Sequence, residues 1–249
     1  MIYYFDGNII GRSSGRSSVG AAAYRAGEKL RSNPVGSAAY MSGEKLRDEN
    51  GEIVHDYTRK TGVRHSEIML PKNAPPEYKD RQTLWNTVEA SERRKDAQLA
   101  KEIVIALQRE FELKEQIAIL REYIRENFTD KGMVADFSIH DKKDGNPHAH
   151  IMLTTRTVTP DGFGGKNRDW NKKDLFLEWR ESWADVNNRM FERKELDERI
   201  DHRSYKSCGI DKEPMVHLGY EAAALERKGI KTEKGNHNRE VQRRNAERV

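Results

Sequence analysis

The sequence predicts an α+β domain: an antiparallel sheet of about five strands covered by helices. Three observations predict it. Short β-branched and aromatic runs recur between longer stretches of helical periodicity. Two of those runs, GMVADFSIH and HAHIMLTTR, are joined by a polar turn and read as a hairpin, so the sheet is at least partly antiparallel. The order β, α, α, β, α, β, α, β, β, α sets helices against one face of that sheet.

The elements follow in order. IYYFDGNII is dense in β-formers and opens as a strand; GRSSGRSS after it is a Gly/Ser/Arg loop. A duplication comes next, VGAAAYRAGEKLR at 19–31 and VGSAAYMSGEKLR at 35–47. Both copies are rich in helix formers. Asn33 suits the N-cap of the second and Pro34 its first helical residue. Two copies are too few for a solenoid and indicate a local duplication. DENGEIVHDYTRKTG is polar and loop-like, with room for a short hairpin. VRHSEIMLP alternates up to Pro71 and reads as a strand, NAPPEYKD and RQTLWNTVEASERR as helix, and KEIVIAL as a strand. Leu113, Ile117, Leu120, Ile124 and Phe128 mark an amphipathic helix. A long helix from about Lys172 to Glu198 carries the stripe Leu175, Trp179, Trp183, Val186 and Met190. These elements predict a domain over 1–218 and a charged tail, 219–249, that is partly helical or disordered.

Composition narrows the function classes. Hydrophobic and charged residues each make up 35% of 249, so a core must be built from few apolar segments. No run approaches the roughly 18 apolar residues needed to span a membrane. The opening MIYYFDGNII lacks the basic region of a signal peptide, and the single Cys208 excludes an internal disulfide framework; both fit a reducing cytoplasm. The net charge of +4 is mild, and it favours a polyanionic partner only where basic residues cluster. Residues 1–47 hold seven Lys/Arg against three Asp/Glu, and 219–249 hold eight against five.

Three of the eight histidines fall in HDKKDGNPHAH, at 140, 148 and 150. Side chains alternate along a strand. Ala149, Ile151 and Leu153 therefore face one way and His148 and His150 the other; Phe137 and Ile139 oppose Asp136, Ser138 and His140. Folding the hairpin onto one apolar core brings all three histidines together beside the turn. Three neutral imidazoles suit a divalent ion such as Zn, Mn, Co or Ni and leave its charge uncancelled for an anionic ligand such as a phosphodiester. Asp136 shares their face and is a candidate supporting partner, while Asp141 and Asn146 fit the shaping of the turn.

HDKKDGNPHAHIML resembles the metal-binding motif of HUH endonucleases, and most closely that of the MobA/MobL (MobQ-class) plasmid mobilisation relaxases. GRSSGRSSVGAAAYRAGEKL is similar to that family's tyrosine motif, and HDYTRKTGVRHSEIMLP, LAKEIVIAL and DHRSYKSCGIDKEP read like further family segments, so the resemblance extends over most of 1–240. It implies an HUH-relaxase-like fold and an enzyme that nicks one strand of DNA at a plasmid origin of transfer. A tyrosine takes the 5′-phosphate and a 3′-hydroxyl leaves, with a divalent metal (Mn, Mg, Zn, Co or Ni) as cofactor. The implied partners are single-stranded or hairpin origin DNA, relaxosome accessory proteins and a coupling protein. A rolling-circle replication initiator shares the chemistry, and a non-catalytic DNA-binding module with a structural metal is the contrasting alternative.

Two tyrosines match. Tyr24 lies at the family's usual distance from the first strand and is favoured as the nucleophile; Tyr40 holds the same place in the second copy, with the familial spacing to HDYTRK. Glu102 matches an acidic family position near the metal, where it would orient a histidine or accept the tyrosine proton. Arg12, Arg16, Arg25, Arg59 and Lys60 are candidates for phosphate contacts. Trp179 and Trp183 read as core in preference to a base-stacking platform.

Overall fold

The computed structural model describes residues 3–12, 33–49, 51, 53–143, 145–216 and 218–248. The whole of the first repeat copy, with Tyr24 and Arg25, and Arg16 before it lie outside the described residues. The chain forms two compact units, Met1–Ile200 and Asp201–Val249.

Five strands build the main sheet of the first unit: β1 (Phe5–Gly11), β4 (Val63–Met69), β5 (Gln98–Ala106), β6 (Ala135–His140) and β7 (His148–Thr154). Their order is β1-β5-β7-β6-β4 and every pairing is antiparallel. The predicted hairpin is β6–β7, at the centre of the sheet, with Phe137 opposite Ile151 and His140 opposite His148.

Helices cover both faces, where the sequence predicts one. The face carrying Ile103, Ile105, Phe137, Ile139, Ala149 and Ile151 packs on α3 (Leu113–Asn127) and α4 (Lys173–Arg193). The predicted stripes are the contact: Leu120, Ile124, Phe128, Trp179, Trp183 and Val186 are buried. Trp179 and Trp183 are thus core. The opposite face, with Ile10, Ile68, Ala100 and Met152, packs on α1 (Pro34–Ser42) and α2 (Arg81–Ala90). A central strand buried on both sides needs apolar partners on both, and β6 is buried at every residue.

Local chemistry sets the helix ends. The Val35 N–H donates to the Asn33 side chain at 2.7 Å, with Pro34 first in the helix, as predicted. The second copy does not stay helical to residue 47. Gly43 takes the left-handed conformation (φ 72°) and its N–H closes on the Ala39 carbonyl, ending α1. The following Lys45–Arg47 (β2) instead pairs with Val54–Asp56 (β3), the short hairpin. A second small hairpin, β8 (Arg156–Thr159) with β9 (Gly162–Lys166), gives no sequence signal because GFGGK carries almost no alternation. In the second unit, α5 (Gly219–Arg227) and α6 (Glu233–Glu247) are helical, tied by the Arg239–Glu226 ion pair.

Candidate metal centre

The β6–β7 register converts the alternation of three histidines into a cluster. His140 and His148 face each other across the ladder and His150 is the next residue on the same face of β7. One nitrogen from each lies within 4.8 Å of the others, and ring centroids are 4.7–5.4 Å apart. His140 and His150 are buried, while His148 is half-buried.

Each ring also has a fixed second nitrogen. His140 Nε2 is 2.7 Å from the Met41 carbonyl, His148 Nδ1 is 2.8 Å from the Asn146 carbonyl, and His150 Nδ1 is 2.9 Å from Glu102 Oε1. Each of these acceptors takes an N–H, which makes the other ring nitrogen the lone-pair atom of its imidazole. That is the arrangement of histidines prepared for a metal, with the partners fixing tautomer and ring angle. Burial, together with the neighbouring His150 and Lys60, pushes the His140 pKa down to about 3, so its ligating form is neutral. The donor set fits a divalent cation, which the triad could hold with coordination positions to spare.

Glu102 is buried on β5, on the histidine face, with its carboxylate 2.9 Å from His150 Nδ1. Glu102→Ala is expected to lower divalent-metal affinity about 10–100-fold, measured by titration calorimetry. Asn146 contributes its backbone carbonyl as well as its place in the turn, and Asp141 accepts the Lys143 N–H at 2.7 Å. Asp136 is a correction. It shares the face but sits four residues, about 13 Å, from His140 along the strand. Its carboxylate instead accepts from Arg81 Nε (2.9 Å) and Nη2 (3.0 Å) and from Trp85 Nε1 (2.8 Å).

The C-terminal end of α1 lies against the triad. Met41 supplies the carbonyl that takes the His140 N–H, and Tyr40 precedes it. Lys60 links the two: its ammonium donates to the Tyr40 carbonyl at 2.7 Å, lies 3.5 Å from the centroid of the Tyr40 ring and stands 3.4 Å from His140 Nε2. Burial, and then Lys142, pushes the Lys60 pKa down to about 7 against the pull of Glu102. The Tyr40 ring also packs edge-on against Tyr57, 5.3 Å between centroids. Arg81 steadies the same region, since it bonds Glu44, just past the end of α1, as well as Asp136 and Ser66. Nothing in the sequence marks the Met41 carbonyl or Arg81, because both act through tertiary contacts.

The other predicted cations divide. Arg12 is engaged by Glu89 (2.7 Å) and the Arg94 carbonyl (2.9 Å), while Arg59 is exposed in the turn beside Lys60. No helix among the described residues is long and apolar enough to cross a membrane.

Residues 32–228 match the MobA/MobL family, a span that includes Tyr40 and the three histidines. Conjugal transfer protein TraA of Agrobacterium fabrum is 37% identical over 91% of this chain and 22% of its own length. Mobilization protein MobL of Acidithiobacillus ferridurans is 35% identical over 91% of this chain and 64% of its own. A solved structure described as the molecular basis of vancomycin resistance transfer in Staphylococcus aureus matches with a TM-score of 0.71 and 31% identity, over 82% of this chain and 100% of that one.

Proposed function

The chain belongs to the MobA/MobL family, and we propose that it is a relaxase that nicks one strand of plasmid origin-of-transfer DNA through Tyr40. One observation carries the reading: the helix bearing Tyr40 is fastened to His140 through the Met41 carbonyl and Lys60.

The reaction is a transesterification. The Tyr40 phenolic oxygen forms a bond to the phosphorus, the bond from phosphorus to the 3′-oxygen breaks, and the phenolic proton is lost as the 3′-hydroxyl gains one. Bond energy is kept in the phosphotyrosyl link, so reversal needs no nucleotide cofactor. A bound divalent ion supplies Lewis-acid stabilisation of charge on the scissile phosphate. His140, His148 and His150 would hold it, and Glu102, Asn146 and Met41 keep their rings aimed. The all-imidazole set favours Mn, Co, Ni or Zn over Mg, which prefers oxygen ligands. Lys60 orients the Tyr40 ring, and Arg59 beside it offers a phosphate contact. Tyr24, which the spacing to the first strand favours, lies outside the described residues and is the alternative nucleophile. The strand is presented single-stranded, next to a hairpin, with accessory and coupling proteins as further partners.

The test is nicking of a supercoiled plasmid carrying the cognate origin. Open circles should form with Mn, and disappear with chelator or with His148→Ala. No nicking with any of the five candidate metals contradicts the reading.

A further inference from the structure

On the α3 side of the hairpin turn lies a cavity of about 400 Å³. Three cations line it, each from a different segment. Arg64 is the extra residue of a bulge in β4: Val63 pairs with His140 and His65 with Ile139, so Arg64 has no partner across the ladder. Arg109 follows β5, and its guanidinium lies so close over Gly145 that an added Cβ would come 3.0 Å from Nη2. Lys143 sits in the turn itself with φ 59°, a left-handed conformation uncommon for a residue with a side chain. All three are exposed, and none has an ion-pair partner among the described residues. The acidic residue among the described lining, Asp141, is engaged by the Lys143 N–H. Gln116, from the first turn of α3, adds a polar wall.

Three cations against one carboxylate around a cavity are a net positive site that suits an anion, and two guanidinium forks suit the paired oxygens of a phosphate. The turn that carries Lys143 and Gly145 begins at His140 and ends at His148, so the cavity is one turn away from the metal ligands. We infer that Arg64, Arg109 and Lys143 form a phosphate subsite that seats a backbone phosphate of the DNA strand beyond the scissile position. The inference rests on the relaxase reading and adds an anchor on the far side of the hairpin from Tyr40. Gly145 belongs to it because its φ of 81° disfavours a side chain and the Arg109 guanidinium lies against its Cα.

The test is binding of a fluorescent single-stranded origin oligonucleotide to the full chain across a salt series. Arg64→Ala/Arg109→Ala is expected to weaken binding about tenfold at 0.1 M salt, and to flatten the plot of log affinity against log salt by about 0.7 per phosphate lost. Arg64→Lys/Arg109→Lys keeps the slope while losing part of the affinity. Trimming the oligonucleotide from each end should remove the same increment of slope from the unmodified protein at one length and nothing from the alanine variant. Metal affinity should be unchanged throughout. Unaltered slope and affinity in the alanine variant would overturn the subsite while leaving the relaxase reading intact. An unmodified protein that neither binds nor nicks origin DNA would remove the reading itself and the subsite with it.

Discussion

Tyr40→Phe is expected to slow formation of the covalent protein–DNA adduct by at least about 10³-fold, the scale on which loss of a nucleophile acts. Binding of the origin oligonucleotide and of the metal should stay within about twofold, because the ring that packs on Lys60 and Tyr57 is kept and only the hydroxyl is removed. Tyr24→Phe should keep at least half of the rate. The reverse pattern, with Tyr24→Phe inactive and Tyr40→Phe active, would return the nucleophile to the first repeat copy and leave Tyr40 a packing residue. Rates are read from single-turnover gels of adduct against time.

Asp136→Ala should be among the most damaging single substitutions for stability, at about 3–5 kcal/mol, because it takes the buried counter-charge from Arg81 and leaves only the half-exposed Glu44. The Asp136 side chain is 3% exposed and that of Arg81 8%. Burial pushes the Asp136 pKa up against the pull of Arg81; removing Arg81 leaves Asp136 without its ion-pair partner, and removing Asp136 leaves Arg81 with only the half-exposed Glu44 carboxylate. Trp85 Nε1 loses its acceptor at the same time. For a unit of this size the unfolding temperature should fall by roughly 6–20 °C. Arg81→Met/Asp136→Leu, which removes both charges together, should recover much of the loss. A fall below about 1 kcal/mol in Asp136→Ala would show that the network is not an anchor of α1 and α2 on the sheet.

The histidine hairpin was the most legible part of the chain because period-two alternation is a local property. It fixes which face each of His140, His148 and His150 occupies before any tertiary contact is known. The same rule misleads for Asp136, since alternation reports the face and not the distance along it. Glu102 was reachable only through its resemblance to a family position; strand register, set by pairing with β7, is what brings it to His150. Coverage of both sheet faces was not legible, because amphipathic periodicity says that a helix has an apolar side and not which layer it meets. The EKLR of the second repeat copy reads as helix by composition, yet Gly43 ends the helix before it, and a three-residue strand carries too short a pattern to compete. Met41, Lys60 and Arg81 act through a backbone carbonyl, an ammonium reaching 80 positions along the chain to His140 and a buried ion pair, and none of these leaves a periodic trace.

In the proposed reaction a tyrosine on α1 takes the 5′-phosphate of the nicked strand beside the histidine triad. Its most direct measurement is peptide mapping by mass spectrometry of the adduct formed between the unmodified chain and an origin oligonucleotide in the presence of Mn. The nucleotide is predicted on the peptide that contains Tyr40. A nucleotide on a peptide without Tyr40, or a nicked strand with a free 5′-phosphate and no protein attached, would contradict it.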